Sequence, residues 1–266
     1  MKKLSVLAIA FAAIAFAACG GKKTQEATEV DSVKSFEQQQ IEASIKMHFD
    51  SIATEFSKIK QPNFVQENNG GITLSKQEKQ VKPDYLLAPA TADNATTLAE
   101  KYRAMSALAV DKKIASLYEM AVEDYDKAIT KLAAEINDPS LKVVEDNNNI
   151  FETSSTLYNE MDKNGRINYF WQIASAALVE QLFIANQNTD KFLSTFNDEA
   201  AANITYRIVL ILDAVNRLSQ YDPDIKPVAE AIAPLDVLNA TSVKELKSQL
   251  AEAKDKIAAA REALVK

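Results

Sequence analysis

The feature that most limits the fold of this chain is its shortage of glycine. Five glycines occur in 266 residues, whereas ordinary usage of about 7% would give about 19. Tight hairpins, β-bulges and phosphate-binding loops depend on glycine, because this residue reaches positive φ angles without steric cost. The shortage therefore favours helices over sheets.

Hydrophobic spacing indicates helix along most of the chain from Ser32 onward. In the first stretch Ile45, Phe49, Ile52 and Phe56 recur every three or four positions, which is typical of one buried helix face. No segment alternates between apolar and polar residues over the length of a strand, so we predict no sheet. The pattern predicts an all-α fold, a single irregular bundle of about six to eight helices over residues 32–266.

Proline and glycine interrupt this pattern near residues 61–92. Pro62, the pair Gly70-Gly71, Pro83 and Pro89 fall within the stretch, and neither residue type suits the interior of a helix. We predict an extended segment that crosses the bundle, with residues 85–87 packed into the helical body.

Local signals also mark individual helix ends. Thr97 with Glu100, and Ser242 with Glu245, have the spacing of a capping box, and Asn164-Gly165 is a helix stop. Apolar residues after Ser242 keep a three-four spacing to the end of the chain, which predicts one straight terminal helix.

The stretch Ile167–Ala185 is apolar nearly all round, with five polar residues in nineteen. Such a helix normally forms the buried centre of an all-α fold. With one Glu and two Gln it is poorly suited to span a bilayer, so we expect it at the middle of the bundle.

Two charges interrupt apolar helical stretches, Glu180 in the central helix and Arg207 in the next one. An isolated buried charge is costly, so a buried ion pair between Glu180 and Arg207 would account for both. Two other interpretations remain open. In the first, both residues are exposed at the rims of their helices. In the second, Glu180 is a catalytic or ligand-binding carboxylate with a raised pKa.

Three consecutive aromatic residues, Tyr169, Phe170 and Trp171, begin the central helix. Neighbouring positions on a helix point in different directions, so not all three can face the same side. Core packing is the favoured interpretation, and a groove lined by one of the rings is the alternative.

Several kinds of chemistry are excluded by composition. One cysteine rules out an intramolecular disulfide and a Cys-rich zinc site, and one histidine rules out a site with several imidazoles. The chain also lacks Walker, dinucleotide-binding, nucleophile-elbow and metalloprotease motifs. We therefore predict no metal site, no cofactor and no enzymatic activity.

The N-terminus has the pattern of a targeting signal. Lys2 and Lys3 precede an apolar run from Leu4 to Ala18, and Ala17-Ala18 stands directly before Cys19, the only cysteine. This run of fifteen residues, in which Ser5 is the one polar side chain, falls short of the roughly 17–25 residues of a membrane-spanning helix. This pattern resembles the lipobox signal of bacterial lipoprotein precursors over residues 1–21, with Phe16 where that family usually has Leu.

The resemblance implies cleavage before Cys19, a thioether-linked diacylglycerol on its sulfur and a further acyl chain on its new amino group. Residues 1–18 are then the signal peptide, residues 19–31 a lipidated cysteine with a flexible tether, and the rest the helical domain. Gly20 follows the cysteine. In well-studied envelopes an Asp there signals inner-membrane retention, so this residue favours the outer membrane.

Removal of residues 1–18 takes away two lysines and leaves 28 basic against 37 acidic residues, a net charge of −9. An acidic body is unsuited to nucleic acid, so we expect membrane attachment through the acyl chains on Cys19 alone. The leading hypothesis is a lipid-anchored, non-enzymatic envelope module that binds another protein. The alternatives are a lipoprotein with a ligand pocket near residues 169–171, and a glycan-cleaving enzyme with Glu180 as its single acid.

Overall fold

Helices and turns make up the described part of the chain. The computed structural model describes residues 36–59, 72–142 and 154–265, and no strand occurs among them. The all-α prediction is therefore confirmed. The chain divides after Ile41 into two units, and the description below concerns the larger one, from Glu42 onward.

Eight of the described helices contain ten residues or more, and three short ones connect them. In chain order they are α1 (Phe36–Lys58), α2 (Lys76–Gln80), α3 (Leu98–Leu117), α4 (Glu123–Ile136), α5 (Ser154–Lys163), α6 (Ile167–Gln187), α7 (Thr189–Phe192), α8 (Asp198–Leu218), α9 (Lys226–Ile232), α10 (Val243–Glu252) and α11 (Lys254–Leu264). Short 3₁₀ helices cover Pro89–Asn94, Pro139–Leu141 and Ala233–Val237.

Helix ends follow the local sequence closely. The Thr97 hydroxyl accepts the Glu100 N–H while the Glu100 carboxylate accepts the Thr97 N–H, which completes the predicted capping box of α3. Gly165, two residues after the end of α5, adopts a φ of 64°, a conformation that glycine reaches without steric cost. At α10 only half of the predicted box forms, because the Glu245 carboxylate binds Thr241 instead of the Ser242 N–H.

Helix α6 lies at the centre of the domain, as its sequence predicts. Fifteen of its 21 residues are buried, and it packs against α3, α5, α8, α9 and α11. Because its neighbours cover every side, the polar residues on α6 must find partners inside the protein. This requirement leads directly to the candidate site.

The predicted straight terminal helix is bent. Ala253 has a ψ of 4°, far from the roughly −42° of a regular helix, and it separates α10 from α11. The bend lets α10 follow α8 while α11 packs against α6 and α9. Ala253 itself is 1% exposed, so the change of direction occurs in the core.

The segment before α3 contains more local structure than expected. Helix α2 and the first 3₁₀ helix lie within residues 72–94, and residues 81–88 between them form neither helix nor strand. Tyr85, Leu86 and Leu87 are partly buried and pack against the core. Residues 60–71, the first part of the predicted extended segment, lie outside the described residues.

Candidate functional site

The most unusual feature of the interior is a buried charged cluster that contains Glu180. The Glu180 side chain is 0% exposed and accepts three hydrogen bonds from Arg261 of α11. Arg261 Nε lies 3.0 Å from Oε1 and 2.8 Å from Oε2, and its Nη2 lies 2.7 Å from Oε1. This two-pronged geometry is the strongest form of a protein ion pair.

A second acid, Asp111 of α3, completes the cluster and is also 0% exposed. Its Oδ2 accepts the Leu87 N–H at 2.8 Å, whereas Arg261 Nη2 is 3.8 Å from that oxygen. Arg261 Nη2 thus approaches both acids, at 2.7 Å from Glu180 Oε1 and 3.8 Å from Asp111 Oδ2, so the two carboxyl groups lie close together in the interior. We call Asp111, Glu180 and Arg261 the carboxyl cluster.

The protein interior shifts the protonation of both acids. Burial, and then the negative charge of Glu180, raise the pKa of Asp111 well above its usual range. Burial also raises the pKa of Glu180, although its bonds to Arg261 oppose this. Of the two acids, Asp111 is the one whose surroundings favour the neutral form more strongly, since Glu180 accepts the donors of Arg261 and Asp111 has no such cation within hydrogen-bond distance.

The carboxyl cluster is tied to residues 81–88 and to its neighbouring helices. Arg261 Nη2 donates to the Tyr85 carbonyl at 3.0 Å, and the Tyr125 hydroxyl of α4 donates to the Leu87 carbonyl at 2.8 Å. The Arg261 guanidinium carbon lies 4.0 Å from the centre of the Phe183 ring, within range of a cation–π contact. Residues 81–88 and helices α4, α6 and α11, which are far apart in the sequence, thus meet around the carboxyl cluster.

The structure gives Glu180 a different partner from the one expected. Glu180 and Arg207 are both fully buried, but Arg261 rather than Arg207 binds the carboxylate. The Arg207 guanidinium carbon lies 6.0 Å from the centre of the Phe56 ring, and this ring packs against Trp171. Trp171 precedes Glu180 by nine residues, which is about 14 Å along a helix. Arg207 and Glu180 therefore lie at different heights in the bundle.

The aromatic residues at the start of α6 belong mainly to the core. Phe170 and Trp171 are 2% and 0% exposed, and their rings meet edge to face at 5.0 Å, with Tyr158 5.2 Å from Phe170. Tyr169 is partly buried and stacks on Tyr102 at 4.7 Å. The two inner rings are thus enclosed by other side chains, as core packing requires, and the alternative of a groove concerns Tyr169 alone, which is partly exposed.

A second buried polar network lies about two helical turns before Asp111 on α3. Arg103 donates from Nη1 to the Gln172 side chain at 2.6 Å and from Nε to the Leu264 carbonyl at 2.9 Å. Gln172 in turn donates to the Asp224 carbonyl at 3.0 Å. Arg103 therefore caps the C-terminal end of α11, where a cation is favoured by the helix dipole.

Sequence reasoning missed the two partners of Glu180. Asp111 follows seven residues of which six are apolar and the other is Ser106, and Arg261 follows three alanines. Each is thus a charge in an apolar context, which is the signal that singled out Glu180 and Arg207. The signal identifies buried charges but not which of them meet.

Chemically, the carboxyl cluster is arranged for structure. Both Glu180 oxygens accept hydrogen bonds and the side chain has no exposed surface, so it is poorly placed to transfer a proton to an outside substrate. No group of three or more His, Cys, Asp or Glu residues suited to a metal ion occurs within residues 43–59, 72–142 and 154–265. None of the helices described here is long and apolar enough to cross a membrane.

The predicted lipidation site, Cys19, lies outside the described residues, as do the signal peptide and the tether. No protein family, no curated protein and no solved structure matches this chain.

Proposed function

We propose that this protein is a lipid-anchored, non-enzymatic helical module of the bacterial cell envelope that binds another protein. The observation that carries the proposal is the N-terminal sequence, in which a short apolar run ends in Ala17-Ala18 directly before the only cysteine of the chain. Gly20 after the cysteine favours the outer membrane as the site of attachment.

Acyl chains supply the membrane affinity in this proposal. Each buried methylene contributes about 0.8 kcal/mol, and one fatty chain gives marginal binding where two or three give stable anchoring. The mature chain carries a net charge of −9, so its surface contributes little attraction to anionic lipid headgroups. The anchor therefore keeps the helical domain at the membrane without a basic patch.

The absence of a catalytic role is proposed on two grounds. The sequence has no recognised catalytic motif, and the strongest candidate acid, Glu180, is enclosed and held by Arg261. The inner aromatics of α6 are likewise occupied with core packing. Neither alternative function therefore gains support from the residues that suggested it.

The anchor is tested by the mass of the mature N-terminus. The full precursor is expressed in a bacterium that processes lipoproteins, and the N-terminal peptide is analysed by mass spectrometry. We expect a chain that begins at Cys19 and carries acyl groups. Cys19→Ala should release the protein from the membrane fraction, while Phe16→Leu, which restores the residue usual in the family, should leave processing intact. A mature chain that begins elsewhere, or lacks acyl groups on Cys19, would refute the proposal.

The protein-binding part is tested separately by crosslinking in native envelopes. The acylated protein and the soluble Cys19→Ala form are crosslinked, purified and analysed by mass spectrometry. With the acylated form, we expect to recover one partner protein in an amount close to that of the protein itself. With the soluble form, we expect to recover less of that partner. Recovery of the acylated protein alone would count against a binding module while leaving the anchor in place.

A further inference from the structure

The carboxyl cluster contains one hydrogen-bond donor too few for two ionised acids. Arg261 directs Nε and Nη2 to Glu180, with Nη2 also reaching the Tyr85 carbonyl. Asp111 Oδ2 receives the Leu87 N–H, but Asp111 Oδ1 is buried and receives no hydrogen bond from an ordinary donor group. One guanidinium nitrogen approaches both acids, at 2.7 Å from Glu180 Oε1 and 3.8 Å from Asp111 Oδ2, and two carboxyl groups placed so close together form a hydrogen bond with each other only when one of them is protonated.

We propose that Asp111 and Glu180 share one proton, and that this proton locks residues 81–88 and helix α11 onto the helical body, so that both loosen when the proton is lost in alkaline medium. This inference goes beyond the proposed function and does not depend on the lipid anchor.

Charge balance supports the lock. With one shared proton the carboxyl cluster contains one carboxylate and one guanidinium and is neutral. Without the proton it contains two carboxylates against one cation, in a place where neither acid has any exposed surface. An uncompensated charge in such a site is strongly unfavourable. The folded domain therefore retains the proton at a pH where an exposed aspartate has lost it.

One cation and several tyrosines face the pair, and the cation opposes the raised pKa of Asp111 only in part. Arg261 of α11 is the one cation among the described residues that lies within 4.0 Å of either acid. Tyr125 of α4 has a pKa raised to about 12, by burial and then by the charges of Asp111 and Glu180, so it stays neutral. The pKa of Tyr85 is also raised, by burial first. The remaining nearby groups act on Tyr85 and are Tyr118 and Asp84.

The carboxyl cluster holds two elements, residues 81–88 and helix α11, each through hydrogen bonds. Residues 81–88 are held by the Leu87 N–H on Asp111 and by the Tyr85 carbonyl on Arg261. Helix α11 is held through its own Arg261 side chain, which donates three hydrogen bonds to Glu180 of α6. Repulsion between two ionised acids would separate α3 from α6 at this point and weaken both attachments together.

The direction of the pH effect follows from proton linkage. The pKa of Asp111 is raised on folding, so above about pH 4 the folded state binds one proton more than the unfolded state. Stability from this group is complete below the unfolded pKa and falls as pH rises towards the folded pKa. Over that window the folding equilibrium constant decreases by up to tenfold per pH unit.

The test compares the full chain with Asp111→Asn. Asparagine has the shape of a protonated aspartate, accepts the Leu87 N–H through its oxygen and donates to Glu180 through its amide nitrogen. Urea unfolding between pH 5 and 9 gives the folding equilibrium constant of each protein. In the wild type this constant should decrease by up to tenfold per pH unit, and in Asp111→Asn that contribution to the decrease should be absent. Amide exchange at Leu87, corrected for intrinsic rates, should accelerate in the wild type at high pH but not in Asp111→Asn.

Asp138→Asn is the matched control, because Asp138 is a buried aspartate that accepts from Tyr102 and the Ser140 N–H rather than from a second acid. It should keep the wild-type slope. A readout on the wild type needs no variant: the infrared spectrum at neutral pH should contain the band of one buried protonated carboxyl group, which Asp111→Asn removes and Asp138→Asn retains. The proposal is overturned if that band is missing at neutral pH, or if Asp111→Asn keeps the wild-type slope.

Discussion

The two halves of α6 are buried equally well but by different means. At the N-terminal half, Phe170 and Trp171 meet Phe56 and Tyr158 through ring edges and faces. At the C-terminal half, Glu180 meets a guanidinium and a second carboxyl group. Aromatic packing requires suitable volume and shape, whereas a buried ion pair requires particular partners in particular positions. One half should therefore tolerate conservative substitution and the other should not.

The largest effect is expected at Arg261. Arg261→Met removes the cation and leaves Glu180 buried beside Asp111, which should lower the free energy of unfolding by about 3–5 kcal/mol at neutral pH. The loss should be smaller at pH 5, because protonation of Glu180 then relieves part of the uncompensated charge. Urea unfolding at both pH values measures this difference.

Arg217→Met is a suitable control for that substitution, since Arg217 also pairs with an acid, Asp213, but both side chains are substantially exposed. Such pairs contribute about 0–1 kcal/mol. If Arg261→Met lowered the free energy of unfolding no more than Arg217→Met does, the buried pair of Glu180 and Arg261 would contribute no more than an exposed ion pair.

A double substitution sharpens the comparison by removing both charges of the ion pair. Glu180→Gln combined with Arg261→Met leaves a neutral amide next to the protonated Asp111, so no uncompensated charge remains. We expect the double variant to regain about 2 kcal/mol of the stability lost in Arg261→Met. A double-mutant cycle by urea unfolding gives this coupling, and simple additivity of the two single losses would contradict it.

The smallest effect is expected in the aromatic half. Phe170→Leu exchanges one apolar side chain for another of smaller volume, so we expect a loss of about 1 kcal/mol that is the same at pH 5 and pH 8. The ring contacts of Trp171 with Phe56 remain to support the packing. A loss as large as that of Arg261→Met would show that edge-to-face geometry matters here as much as charge pairing.

Much of the fold could be predicted because its signals are local. The capping box at Thr97 and Glu100 needs residues three positions apart, and the stop at Gly165 needs one positive φ angle. The apolar composition of Ile167–Ala185 was enough to place α6 at the centre. The bend at Ala253 was missed, because it depends on where α10 and α11 find neighbours rather than on the regular apolar spacing within them.

The candidate site was predictable only in part. A charge in an apolar helix is visible in the sequence, so Glu180 and Arg207 stood out as buried residues. Their separation was not visible, because it depends on how the connection between α6 and α8 is built. That connection contains the short helix α7, and Arg207 lies near Phe56 and thus beside the start of α6 rather than beside Glu180.

Local sequence patterns were enough to predict the helices of the described residues, several of their ends and the helix at the centre, since these depend on glycine content, capping residues and apolar spacing within a few turns. The meeting of Glu180 with Arg261 and Asp111 became visible only in the folded domain. The three residues are 69 or more positions apart in the chain, and a contact over such distances depends on the packing of whole helices. No local sequence pattern shows which residue pairs with Glu180, because a buried carboxylate can bind any cation that the packing of the helices places next to it.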